Sequence, residues 1–440
     1  MGFLDELRAV VPVLPASAAG DRSGVAGDGL PLAIARPDTV DGVRAVLRLA
    51  SAHGVPVVPR GAGTGLAGGA VARRGELVLD VSGLDRIVEI DPMDALAVVE
   101  PGVRTAELDR AAQAFGLRYA PDPASAEIST IGGNIATNAG GMRCVKYGVT
   151  REAVLGLDVV LADGRLIRTG RRTVKGVAGL DLTSLFVGSE GTLGVVVGAT
   201  LRLRPLPART LTAAAAFDSV AAAARACAEL TRQRREPSVL ELLDGATLEV
   251  IDRAQGTDLA ARGGALVIAQ ADGPAAEEEI TAIAKVLAEE ATWSEWSDDA
   301  ESAERLLFAR RMALPSIERF GRALIEDICV PRSRLAEAFA GVSRIAATHG
   351  VRIYSFAHAG DGNLHPIVGY ETLDAAVRRA GDDLFALALD LGGTVTGEHG
   401  VGLLKRDWLA REAGPEVLSV QAAVKTALDP QGILNPGKAF

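Results

Sequence analysis

Cysteine is scarce. Cys144, Cys227 and Cys329 lie far apart in 440 residues, and no CxxC pair occurs. That excludes an iron–sulfur or zinc-ribbon module, gives no disulfide framework and points to a reducing compartment. Aromatic residues make up only 4%, and 46 Lys and Arg face 56 Asp and Glu for a net charge of −10. Without clustered basic charge, binding to a nucleic-acid backbone is not expected. No uninterrupted apolar stretch reaches the ~18 residues that a membrane span requires. The opening MGFLDELRAVVP is acidic from the start, unlike a secretory leader, and Glu6 stands where a myristoylation signal needs Ser or Thr. A cytoplasmic protein is the expectation.

What is abundant is apolar surface and glycine: 48% hydrophobic residues and 50 glycines, enough for more than one core on a prior of ~150 residues per domain. Asp38 and Thr39 open a helix whose Val43, Val46, Leu47 and Ala50 recur at helical spacing and which stops at His53-Gly54. Short strands are expected at 55–59, 76–81 and 95–101. A second helix from Thr105 places Leu108, Ala111, Ala112 and Phe115 on one face, with Gly116 closing it. After the charge-and-proline connector 201–210 the pattern reads strand, helix, strand, strand, helix, as in an α+β layer. The expected division is a two-lobed α+β domain over 1–207, a second α+β domain with an antiparallel sheet over 208–403, and a C-terminal segment over 404–440 that returns to the first domain.

Gly63-Thr64-Gly65-Leu66-Ala67-Gly68 satisfies GxGxxG but fails the test of context. Only 69–75 separate it from the next strand, too few residues for the crossover helix of a dinucleotide fold. Its amides can still turn inward as an anion nest. Glycine-rich loops recur at 130–141 and 188–194, and three of them in one domain suggest a long ligand approached by backbone from several sides.

Histidine is also rare, with five residues, and three of them fall in HAGDGNLH and GEHG. RIYSFAHAGDGNLHPIVGY reads as a hairpin turning at Asp361-Gly362. That register sets His358 opposite His365, with Cβ atoms about 5 Å apart. With Glu398 as third ligand the trio suits zinc, manganese, iron or cobalt and leaves coordination positions open.

PRGAGTGLAGGA, PDPASAEISTIGGNIATNAGGMRCVKYGVTRE, VKGVAGLDLTSLFVGSEGTLG, HAGDGNLH, GEHGVG and ILNPGK, in this order, resemble the FAD-dependent D-2-hydroxyacid dehydrogenases. These include D-lactate dehydrogenases, the flavin subunit of glycolate oxidase and D-2-hydroxyglutarate dehydrogenase, all with the vanillyl-alcohol-oxidase type of FAD fold. The resemblance implies that Arg60, Gly61, Ala62, Gly63, Thr64 and Gly65 meet the FAD pyrophosphate. It likewise sets Gly132, Gly133, Asn134, Ser189, Glu190, Gly194 and Asn435 near the flavin. Ala62 replaces the family's middle glycine and Leu180 a frequent Tyr. Neither of the first two glycine loops holds a His or Cys for covalent attachment, so non-covalent FAD is expected.

The resemblance makes His399 the base that takes the hydroxyl proton while hydride leaves C2 for flavin N5, and an imidazole with an unperturbed pKa of about 6.5 suits that task. A divalent ion favours loss of the same proton. Arg310 matches the family's carboxylate-binding arginine, with Arg311 competing, and Asn363 is a partner for a substrate oxygen. Ile325 stands where enzymes acting on D-2-hydroxyglutarate carry a Lys, which favours a small acid of the D-lactate or glycolate type over that alternative. Electrons must pass to an external acceptor: a quinone, a cytochrome, an electron-transfer flavoprotein or oxygen. Peripheral membrane contact and a homodimer are left open. The readings from other classes are a flavin-free metallohydrolase and a flavin-binding accessory subunit of a larger oxidase complex.

Overall fold

The computed structural model describes residues 2–17 and 20–439. They form two compact units, one of 2–140, 148–206 and 398–439, the other of 141–147 and 207–397. The connector therefore divides the chain after Leu206. The return of the chain begins at Glu398, where the sequence suggests 404, and the short piece 141–147 belongs with the second unit.

The first unit carries a four-stranded sheet, a five-stranded sheet and a two-stranded pairing of Leu117–Arg118 with Arg204–Pro205. In the first, Ala33–Ala35, Leu77–Asp80 and Val57–Arg60 run parallel, and Val13–Leu14 adds an antiparallel edge. Helix Val40–His53 packs on this sheet, with Val43, Val46, Leu47 and Ala50 fully buried. Thr39 accepts from the Gly42 amide as its N-cap, and Gly54 closes it at φ 64°, a left-handed conformation that glycine adopts without cost. The other sheet is antiparallel, in the order Ile87–Asp91, Leu96–Val99, Val195–Arg202, Val154–Val160, Leu166–Gly170. The C-terminal segment closes on the first sheet: the Val57 amide donates to the Ile433 carbonyl and the Asn435 amide to that of Val57.

Helix Thr105–Gln113 is shorter than its apolar pattern suggests. Phe115 lies beyond its end and is half exposed. Its first amides are satisfied by the Ser129 and Ala126 carbonyls rather than by a side-chain cap.

The second unit is one antiparallel sheet in the order Trp293–Ser297, Thr210–Phe217, Ala265–Asp272, Val239–Asp244, Arg352–His358, Asn363–Tyr370, Arg322–Ile325, with Ile328–Cys329 also pairing on Asn363–Tyr370. Helices Val220–Arg232 and Ala276–Ala288 occur as expected. A further helix, Gly245–Gln255, separates two strands that the sequence pattern reads as adjacent. Asp244 caps it through the Thr247 amide, and Gly256 ends it at φ 73°. Segment 141–147 joins this unit through Lys146 and Tyr147, whose Nζ and hydroxyl bond Asp272 at 2.5 and 2.8 Å. No helix among the described residues is long and apolar enough to cross a membrane.

Candidate functional site

In the first unit a cleft of about 460 Å³ is lined by Arg36, Arg60, Gly61, Ala62, Asp80, Ser82, Arg104 and Thr130 among others. It lies between the first glycine loop and the start of helix Ile131–Thr137, where the Thr130 side chain accepts from the Gly133 amide. A Cβ on Gly61 would meet Thr130 Oγ1 at 2.4 Å, and one on Gly132 would meet Pro101 Cβ at 2.6 Å. Gly63 holds φ 67°. Neighbouring groups close onto the backbone here because these glycines carry no side chain. The Nε of Arg60 is buried without a partner, and such an atom costs free energy until a ligand satisfies it. A helix N-terminus, a glycine loop and a half-buried arginine with an unpartnered Nε together fit an anionic dinucleotide.

The other residues that the resemblance sets by the flavin have varied duties. Asn134 is buried and donates to Thr105 Oγ1 at 2.6 Å, and Ser189 donates to the Phe186 carbonyl. Gly194 is demanded by the core, since a Cβ there would come within 2.5 Å of Val159. Asn435 donates to the carbonyls of Gly69 and Glu190 at 2.9 and 2.7 Å, while its own Oδ1 is buried without a partner. Glu190, at φ 50°, accepts from the amides of Val401 and Gly402, both at 2.8 Å. Burial pushes its carboxyl up to about 7, while those two amides and Lys405 pull the other way. Its side chain thus holds the loop that follows His399. Glu398 and His399 are half-buried. The Glu398 carboxylate lies so close to Gly140 that a Cβ there would meet Oε2 at 2.3 Å.

In the second unit the hairpin forms, with a different register. His358 faces Asn363, and His365 faces Phe356. The Gly362 amide bonds back to the His358 carbonyl with Gly362 at φ 85°, so the loop takes four residues, 359–362, and the pairing shifts by two. A shift of two keeps both histidines on one face as diagonal neighbours. Their rings stand 5.1 Å apart, nearly perpendicular, and both residues are buried.

Two buried carboxylates that sequence reasoning missed organise this face. Glu241, fully buried and directly opposite His358, meets His358 Nδ1 at 2.6 Å through Oε1 and accepts Arg310 Nε at 2.5 Å through Oε2. Asp327, also fully buried, accepts from Asn363 Nδ2 at 2.6 Å, Thr396 Oγ1 at 2.8 Å and the Gly397 amide at 2.9 Å, and lies 3.8 Å from His365 Nδ1. The next residue in the chain is Glu398. An acid amid the apolar run VLELLD is a signal that could have exposed Glu241. Asn363 spends both Nδ2 hydrogens, on Asp327 and the Ile328 carbonyl, which leaves Oδ1 as the atom it can offer. Arg310 is buried with its guanidinium 4.2 Å from the Phe356 ring, whereas Arg311 is exposed and paired with Glu304. Imidazoles whose Nδ1 atoms face carboxylates have the chemistry of metal ligands, so the donor set fits a divalent ion.

A family model described as "FAD linked oxidases, C-terminal domain" matches residues 206–439, and one described as "FAD binding domain" matches 31–170. The "glycolate oxidase subunit GlcD" of Bacillus subtilis is 42% identical over 93% of this chain and 89% of its own length. A "D-lactate dehydrogenase" of Archaeoglobus fulgidus is 35% identical over 100% of this chain and 99% of its own. Among solved structures, p-cresol methylhydroxylase with substrate bound superposes at TM-score 0.81 and 19% identity, covering 99% of this chain and 96% of its own. The fold is of the vanillyl-alcohol-oxidase type.

Proposed function

The chain belongs to the FAD-linked oxidases, and from that premise we propose that it oxidises a small D-2-hydroxy acid, of the D-lactate or glycolate type, to the 2-oxo acid. The observation that carries this reading is the buried trio of His358, His365 and Glu241 on one sheet, to which Arg310 is tied through Glu241 from helix Ala300–Arg311. It brings an ion-binding imidazole pair and a guanidinium under one system of contacts.

FAD, when bound, supplies the acceptor of the hydride. His358 and His365, with Glu398 as the third ligand, would hold a divalent ion, which would supply Lewis acidity toward the substrate hydroxyl. The protein's own part is positioning and proton transfer. Arg310, with Nε committed to Glu241, has its two Nη groups to clamp the substrate carboxylate. His399 takes the hydroxyl proton, and Glu190 holds the loop on its C-terminal side. Arg60 to Gly65 and Gly132 to Asn134 receive the dinucleotide. Ile325 sits among apolar neighbours, which suits a substrate with one carboxylate. Electrons leave through an external acceptor.

Anaerobic mixing of the FAD-loaded protein with glycolate, D-lactate, L-lactate and D-2-hydroxyglutarate tests the reading. Glycolate or D-lactate should bleach the flavin band and L-lactate should not; a flavin left oxidised by all four would overturn it. His399→Ala should keep FAD and slow the bleaching by about 10²–10⁴-fold, the usual contribution of a positioned base. An unchanged rate would remove His399 from the proton transfer.

A further inference from the structure

We infer that Glu241 is a positioning residue shared by a metal ligand and the substrate's anchor: one buried carboxylate fixes His358 through Nδ1 and Arg310 through Nε. The inference rests on the function proposed above and goes further, because it makes metal affinity and substrate affinity depend on one side chain in contact with neither.

The strand Val239–Asp244 is buried along nearly its whole length, and Val239, Leu240, Leu242 and Leu243 around Glu241 are all apolar. A carboxylate there costs several kcal/mol unless both oxygens are partnered. Both are, and neither partner is a generic one. Cross-strand register sets Glu241 against His358, 117 positions away in sequence, and Arg310 reaches it from the last turn of helix Ala300–Arg311.

On the histidine side, a proton held at Nδ1 by Oε1 fixes the tautomer that offers Nε2 as the ligand atom, and such partners usually carry 10–100-fold of metal affinity. On the arginine side, occupation of Nε by Oε2 and stacking on Phe356 at 4.2 Å fix the guanidinium plane. A carboxylate needs a plane so fixed for a two-point contact. The negative charge between them also offsets the repulsion that Arg310 and a divalent ion would otherwise feel.

Glu241→Gln removes the charge with little change of shape, and its NH₂ must face one of the two donors. The test measures zinc affinity of the FAD-loaded proteins by chelator competition, separately from turnover, together with KM, kcat, FAD content and thermal midpoint. The expected result is zinc affinity about 10–100-fold weaker and KM raised about tenfold or more, with FAD content kept. Glu241→Asp keeps the charge on a chain one methylene shorter, too short to hold both partners. It should show the same paired losses, and it serves where the Gln variant does not fold. A folded variant with both constants within about twofold of wild type, or with only one changed, overturns the shared role. Wild-type protein that holds no zinc overturns the metal reading together with this inference, whereas zinc held equally by wild type and variant overturns the inference alone.

Discussion

The nucleotide cradle of the first unit and the histidine face of the second are built by opposite means. The cradle is made of missing atoms: a Cβ on Gly61 would strike Thr130, one on Gly132 Pro101, and one on Gly402 the Ala67 carbonyl at 2.1 Å. The histidine face is made of side chains, with Glu241, Asp327, His358, Asn363 and His365 all buried, His358 and Asn363 hydrogen-bonded to the two carboxylates and His365 lying 3.8 Å from Asp327. Backbone close approach tolerates many ligand-side details but no added carbon. A buried polar network tolerates volume changes poorly and the loss of a partner worse. Damage to one region should therefore leave the other's ligand in place.

The largest break of that contrast is His358→Ala. It should empty the metal site and lower turnover by about 10²-fold or more, as expected when a Lewis acid is lost, while FAD stoichiometry stays at the wild-type value. Metal analysis and the flavin spectrum of one preparation read both. A variant that loses FAD as well would show that the two regions are not separately built.

Next in size is Glu190, whose carboxyl burial pushes up to about 7. Because the folded protein keeps a proton there that the unfolded chain releases near its ordinary value of 4.5, this group favours the fold most below that pH. Its contribution falls as pH rises through about 7. The stability difference between wild type and Glu190→Gln should therefore shift in favour of the Gln variant from pH 4.5 to 7.5, by up to about 3 kcal/mol in urea unfolding. A difference that stays flat with pH would mean that the carboxyl ionises normally. The Gln side chain also loses an acceptor for one of the two amides it faces, but that cost is constant across the range.

What could be read from sequence follows the same division. Helix Val40–His53 was legible because its signals are local: apolar spacing, Thr39, Gly54. The glycine loops were legible as loops, yet not glycine by glycine. Gly194 answers to Val159 in the core, and Gly140 to the Glu398 carboxylate. The hairpin was legible and its register was not, since a turn at Asp361-Gly362 would pair Asn363 with Gly360 and the four-residue loop pairs it with His358, and the local sequence suits both. Phe115 fits the helical period but lies past the end of its helix. Motif position points to Arg310 with Arg311 competing, and burial separates the two. Glu241 is marked locally only as an acid within VLELLD, and its partners, like those of Asp327, lie tens to more than a hundred residues away, so no window of sequence displays the network.

The smallest effects, and the finest test of the cradle, come from adjacent glycines in helix Ile131–Thr137. A Cβ on Gly132 would sit 2.6 Å from Pro101 Cβ and 3.1 Å from its carbonyl oxygen, a ring and a main chain that cannot swing aside, while one on Gly133 meets only Thr130 Oγ1, at 3.3 Å. Overpacking at such a site usually costs about 1–3 kcal/mol, whereas alanine in an open helical position gains up to about 1 kcal/mol over glycine. Gly132→Ala should therefore lower the thermal midpoint of the FAD-free protein, and Gly133→Ala should leave it unchanged or raise it. If FAD approaches this helix start through bare backbone, Gly133→Ala must nevertheless bind FAD more weakly, because the added methyl occupies the space of the approach. Stability kept and flavin affinity lost in the same variant would identify Gly133 as a glycine required by the ligand, and Gly132 as one required by the fold. Undiminished flavin affinity in Gly133→Ala would mean that the cradle closes on FAD through the first loop alone.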